Sequence, residues 1–170
     1  MIDYEIVDEF PTTPAKYWEM FFSEEYNAAL WAHLDIEREV IEFRREGEGD
    51  DAVIHRTQRL TPRRDVPSAL RKLVADSISY VEKNTWRART NQMDVVTTPN
   101  FFADKFTAKG VYRLEPVGAD KLRRIWKASC ECRVPLVGGK VESHVVEEVK
   151  RSYKATTIFT RDWIAKHLAT

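Results

Sequence analysis

Val134-Pro135-Leu136-Val137-Gly138-Gly139-Lys140-Val141-Glu142 divides the chain by period. Upstream of it apolar residues mostly alternate with a period of two, and downstream they recur with a period near 3.6 to the C-terminus. Val145, Val149, Ser152, Tyr153, Thr156, Phe159, Thr160 and Trp163 share one helical face, with Lys140, Glu147, Lys150, Arg151, Lys154 and Arg161 mostly opposite. A helix of nearly thirty residues runs about 40 Å. Ser152, Thr156 and Thr160 make its inward face less greasy than a plain core stripe.

Working back from this junction, strand patterns fall at Glu37 to Arg45, Ala52 to Leu60, Ile78 to Arg89, Met93 to Thr97, Lys105 to Leu114 and Leu122 to Val134. Turn signals separate several of them, at Gly47-Glu48-Gly49-Asp50-Asp51, Thr98-Pro99-Asn100 and Val117-Gly118-Ala119-Asp120. After Thr61-Pro62-Arg63-Arg64-Asp65-Val66-Pro67 a short helix carries Leu70, Leu73 and Val74. The N-terminal stretch Ile2 to Phe10 alternates Tyr4, Ile6, Asp8 and Phe10 and reads as a strand. Thr13 followed by Pro14 is a helix start, with Thr as the cap and Pro at the first helical position. Ser23-Glu24-Glu25 opens a second short helix bearing Leu30 and Trp31. The expected class is α+β: a curved antiparallel sheet of about six to seven strands grips one long C-terminal helix, with two short helices after the first strand.

The chain has 170 residues, with 43% hydrophobic and 32% charged, a globular balance read as one domain spanning 1–170. At this length folding can bury about 70% of the surface an unfolded chain exposes. Lys plus Arg is 27 and Asp plus Glu is 27, so the formal charge is zero. A general nucleic-acid binder draws its affinity from a surplus of basic groups, and none is present. Apolar runs such as Ala28-Ala29-Leu30-Trp31-Ala32 fall far short of the roughly 18 residues that span a bilayer. The first residues, Met1-Ile2-Asp3-Tyr4-Glu5, have neither the basic nor the apolar region of a secretory signal. The expectation is a soluble, cytoplasmic protein whose oligomeric state the sequence leaves open.

The stretch Val134 to Glu142 resembles the strand-to-helix junction of an uncharacterised bacterial family within the START-like superfamily of helix-grip, lipid-transfer and polyketide-cyclase proteins. Phe21-Phe22-Ser23-Glu24-Glu25-Tyr26 is similar to the first-helix region of START-like and sterol-binding relatives. The resemblance covers essentially the whole chain. It implies a hydrophobic cavity between sheet and C-terminal helix, holding a lipid such as a sterol, fatty acyl or phospholipid species, and it brings no catalytic motif.

Alternation assigns the faces. Ile78, Tyr80, Glu82, Asn84, Trp86 and Ala88 share the inner face of one strand, and Ile54, Arg56, Gln58 and Leu60 that of its predecessor. A carboxylate turned inward needs a partner or must shift its pKa upward, and Arg56 is the candidate partner for Glu82. The superfamily's lipid-transfer members imply such a charged pair beside the ligand's polar head. Phe106, Ala108, Gly110 and Tyr112, with Trp126, Ala128, Cys130 and Cys132, offer an inner face whose small residues leave room opposite the helix unless Trp86 and Trp126 fill it. The expected ligand-binding set is Arg56, Tyr80, Glu82, Asn84, Trp86, Tyr112, Trp126, Val145, Val149, Tyr153 and Thr156. The ligand would enter by movement of the C-terminal helix, of the loop Thr61 to Pro67, or of the loop Thr98 to Ala103. The alternative is a cyclase or hydratase in which Glu82 acts as general base and Tyr80 or Tyr112 as acid.

No cofactor or metal is implied. Cys130 and Cys132 stand alone without the further ligands a zinc site needs, and on one strand their spacing of about 6.5 Å suits a disulfide poorly. His33, His55, His144 and His167 show no ligand or triad spacing, and Gly138-Gly139 lacks the context of a phosphate loop. Phe101-Phe102 beside a Pro-Asn turn, and the mixed basic and apolar segment Arg63-Arg64, Leu70, Arg71, Lys72 and Leu73, are the two candidates for transient membrane contact.

Overall fold

The computed structural model describes residues 1–63, 68, 71 and 77–168. Strand β1 (Ile2–Phe10) leads into helices α1 (Pro14–Phe22) and α2 (Glu24–His33). Strands β2 (Ile36–Glu46), β3 (Val53–Pro62), β4 (Tyr80–Arg87), β5 (Gln92–Pro99), β6 (Phe106–Pro116) and β7 (Leu122–Cys132) follow, and helix α3 (Gly138–His167) closes the chain. The sheet is antiparallel throughout, in the order β1-β7-β6-β5-β4-β3-β2. Because β1 pairs with β7 and β2 with β3, the two short helices carry the chain from one edge of the sheet to the other. The helix expected to hold Leu70, Leu73 and Val74, and most of the expected entry loop, lie outside the described residues.

Local chemistry sets the helix boundaries. The Thr13 hydroxyl accepts from Lys16 N, and Pro14 opens α1 where no backbone donor is needed. Ser23 serves both helices: its N–H donates to Met20 O at 3.0 Å, and its hydroxyl accepts from Tyr26 N at 3.3 Å. The start of α3 has no side-chain cap. Its anchor is contact with the end of β7: Glu142 Oε1 accepts from Cys132 N at 2.8 Å, and Gly138 lies against the Cys132 carbonyl, where a Cβ would come within 2.1 Å of the oxygen. That close approach gives a physical reason for glycine at the junction.

Helix α3 lies over β7 and β1. Val141, Val146, Thr157, Thr160 and Ile164 are therefore its most buried residues, whereas Val145, Val149, Ser152, Tyr153, Thr156, Phe159 and Trp163 are half-buried. The inward face is thus rolled relative to the stripe the periodicity picks out. Lys150, Lys154 and Ile158 border β1. Val145, Val149, Ser152 and Thr156 occupy the opposite side of the helix circumference.

Two apolar clusters fill that face. The larger joins α1 and α2 to the sheet through Phe10, Tyr17, Trp18, Tyr26, Trp86, Tyr112, Trp126 and Ile164. The smaller, under the start of α3, contains Phe106, Cys130, Cys132, Val141 and Val146. Among the described residues, no helix is long and apolar enough to cross a membrane.

Candidate functional site

Strands β3 and β4 place the predicted polar residues side by side. Arg56 lies opposite Asn84 and Gln58 opposite Glu82, all on the inner face. Arg56 and Glu82 therefore come together in one network without a direct ion pair. Arg56 Nε donates to Asn84 Oδ1 at 2.9 Å, and Asn84 Nδ2 donates to Glu82 Oε1 at 3.0 Å. Gln58 Nε2 donates to the same carboxylate oxygen at 3.2 Å, while Gln58 Oε1 accepts from Arg38 Nε at 2.8 Å. Arg38 in turn reaches the exposed Glu24 at 3.1 Å. The result is a polar relay from the surface at Glu24 to the interior at Arg56.

Arg56 is 2% exposed, and no carboxylate of the described residues touches it. Its NH1 donates to Asn27 Oδ1 at 3.3 Å, and its guanidinium lies over the rings of Phe21 and Phe22 at 4.9 and 5.2 Å. Burial pulls its pKa down to about 10, against the opposing pull of the Glu82 charge. Asn27 is fixed by donating to the Phe21 and Ser23 carbonyls, so the α1–α2 corner orients the group that holds the arginine.

The sequence reading missed a second buried arginine, Arg124 on β7, which is 1% exposed. Its NH2 donates to Asp8 Oδ2 at 2.6 Å and to Thr157 Oγ1 at 2.9 Å, and its NH1 donates to Tyr17 OH at 3.3 Å. It lies over Phe10, Tyr153 and Tyr112 at 4.8, 5.2 and 5.6 Å, and its Nε has no hydrogen-bond partner among the described residues. The signal was parity: Arg124 alternates with Leu122 and Trp126, and Asp8 with Ile6 and Phe10.

The predicted aromatic residues pack on one another. Tyr112, Trp126 and Tyr153 stand 4.9 to 5.9 Å apart by ring centroid, and Trp86 meets Trp18 and Phe22 at 5.9 and 5.8 Å. Burial raises the hydroxyl pKa of both Tyr112 and Tyr153. The room beside Gly110 is taken by the Trp126 indole, since a Cβ there would sit 2.4 Å from its ring. The expected set therefore divides. Arg56, Asn84, Trp86, Tyr112 and Trp126 are buried in the core, whereas Tyr80, Glu82, Val145, Val149, Tyr153 and Thr156 are half-buried.

Other candidate chemistry stays structural. Cys130 and Cys132 are buried free thiols, and burial pushes Cys130 up to about 12. Among the described residues no His, Cys, Asp and Glu group could hold a metal. His167 stacks on Trp163 at 3.9 Å. Phe101 and Phe102 are half-buried against the smaller cluster, with Phe101 6.2 Å from Phe106, and so fold back under their own loop.

Comparison with known proteins places this geometry in a wider setting. The profile of a family described as "Protein of unknown function (DUF2505)" matches residues 5–164. No curated protein matches the chain by sequence. Among solved structures, the Zhui aromatase/cyclase from a Streptomyces species superposes with a TM-score of 0.67 at 11% identity, covering 99% of this chain and 98% of that one. TTHA0849 from Thermus thermophilus gives 0.62 at 15% identity, with 96% and 99% covered. A START superfamily protein from Mycobacterium smegmatis gives 0.58 at 12% identity, with 91% and 94% covered. The chain has the START-like helix-grip fold.

Proposed function

The chain belongs to the DUF2505 family, which carries no assigned activity, and we propose that it binds a hydrophobic small molecule between β4 and the flank of α3 that bears Val145, Val149 and Thr156. The observation that supports this reading most is the environment of Glu82. Gln58 and Asn84 both donate to Oε1, and the side chain is only half-buried. Among the described residues nothing donates to Oε2, which can accept a hydrogen bond from a ligand's hydroxyl or amine, while affinity comes from apolar burial at roughly 25 cal/mol per Å² before the costs of binding. The ligand we propose is a lipid with a donor head, such as a sterol or another acyl or isoprenoid alcohol, carried or sensed in the cytoplasm.

Native mass spectrometry of the purified protein, followed by solvent extraction, tests the reading directly. A stoichiometric apolar adduct is the expected result. Glu82→Gln is expected to weaken binding of an apolar alcohol about tenfold while leaving the matching hydrocarbon unchanged, as loss of one charge-assisted hydrogen bond requires. A clean apo mass together with failure of a sterol, fatty-alcohol and phospholipid panel to bind would sink the proposal. The aromatase/cyclase shares the fold, and the enzymatic alternative assigns Glu82 as base and Tyr80 or Tyr112 as acid. The same variant would then lose turnover while keeping affinity.

A further inference from the structure

A recess of about 500 Å³ runs between strand β1 and the flank of α3 opposite Val145, Val149 and Thr156. It is lined by Glu5 to Asp8 from the strand and by Lys150, Lys154, Thr157, Ile158 and Arg161 from the helix. Among the described residues β1 is an edge strand, paired only with β7. Arg161 Nε donates to the Glu9 carbonyl at 3.1 Å, which identifies that carbonyl as pointing away from β7. Backbone groups alternate along a strand, so the N–H and C=O of Val7 and Glu5 point to the same free edge. Among the described residues nothing hydrogen-bonds to them there.

The side chains around this edge are equally unspent. Val7 is 48% and Ile158 62% exposed. The acids beside the recess already have cations of their own, Glu5 with Lys127 at 3.3 Å and Asp8 with Arg124 at 2.6 Å. Lys150 and Lys154, one helical turn apart and both exposed, have no carboxylate within ion-pairing distance among the described residues. The recess therefore offers a backbone ladder, two apolar flanks and unpaired positive charge.

We propose that this recess docks an extended acidic segment of a partner protein, which adds to β1 as an eighth strand and presents alternating carboxylates to Lys150 and Lys154. Strand addition supplies affinity through the backbone, and the alternating side chains supply selectivity. A peptide fits better than an acyl chain because it meets the in-register backbone donors and acceptors of Val7 and Glu5 along its length, which a hydrocarbon leaves unmet.

The test uses the full chain and a capped heptapeptide of alternating Glu and Val as probe. Hydrogen exchange is expected to slow at the Val7 and Glu5 amides, and the double variant Lys150→Glu with Lys154→Glu is expected to bind about tenfold more weakly, through loss of electrostatic complementarity. Val7→Pro removes a free-edge donor at a position where an edge strand tolerates proline, and is expected to abolish the protection while far-UV circular dichroism stays unchanged. Equal binding of a Lys-Val probe, or indifference to both variants, overturns the proposal. Displacement of the peptide by oleate but not by excess peptide of scrambled order overturns it in favour of an anionic amphiphile. Glu82→Gln is expected to leave the probe's affinity unchanged, so this site and the concave one stand or fall separately.

Discussion

Arg56 and Arg124 are both almost wholly buried, on opposite wings of one sheet, and they are neutralised in different ways. Arg124 meets its carboxylate directly, Asp8 at 2.6 Å, and is enclosed by Phe10, Tyr17, Tyr112 and Tyr153. Burial, which lowers its pKa, is outweighed by the neighbouring tyrosines and Asp8, so the guanidinium is held above its ordinary range. Arg56 has amides for neighbours, and its countercharge, the half-buried Glu82, is reached through Asn84. The difference separates a closed ionic anchor from a relay that runs through amides.

The largest effect expected from this contrast is at Asp8. Asp8→Ala strips the partner from a buried cation and should cost about 3 kcal/mol in urea unfolding, at the low end for such losses because Asp8 is partly open to water. Arg56→Met removes a cation that has no contacting carboxylate among the described residues, leaves Asn84 Oδ1 without its donor while Asn27 Oδ1 keeps Trp31 Nε1, and should cost about 1–2 kcal/mol. If Arg56→Met proved the more destabilising, the distinction between anchor and relay would be inverted.

Between the two arginines runs an aromatic wall, Arg124 over Tyr112, Tyr112 against Phe21 at 6.1 Å, and Phe21 under Arg56. Trp126 braces the wall from behind and rests on Gly110. Gly110→Ala forces that indole away from Tyr112 and should cost about 2 kcal/mol, within the usual range for overpacking, with a shift in tryptophan emission. A neutral result would mean that the wall can yield. The two wings would then be less sharply divided than the distances show.

Much of this arrangement was legible in the sequence because strands announce themselves by parity. The reading Ile2 to Phe10 coincides with β1, and the other strands and α3 lie within a few residues of expectation. Parity also placed Arg56, Gln58, Asn84 and Glu82 inward. What it could not give was register: a two-residue difference in offset, which leaves every side chain on its own face, decides whether Arg56 faces Glu82 or Asn84, and only the β3–β4 pairing settles that. Arg124 escaped notice because it follows Arg123, and a pair of arginines reads as solvated surface until each is assigned its own face. The roll of α3 was illegible for another reason. Periodicity fixes which residues share a face, while the direction in which the helix leans depends on its anchor at Gly138 and Glu142, a tertiary contact.

That anchor gives the smallest expected effect and a way to refine the comparison by wing. The N–H of Cys132, donating to Glu142, is the main cause holding that carboxyl below its ordinary value of 4.5. A carboxyl whose pKa is depressed on folding contributes stability that is present above its unfolded value and is lost as pH falls through its folded one. Acid should therefore loosen the junction of α3 with β7, on the Arg124 side, before it affects β3 and β4. Glu142→Gln keeps an acceptor for Cys132 N but removes the titration. Its stability should fall below the parent's at neutral pH and converge with it in acid, with faster hydrogen exchange at Cys132 than at Arg56 or Asn84. Equal acid sensitivity of the two wings, or a difference between parent and variant that persists at low pH, would show that the α3 anchor is not held by this charge.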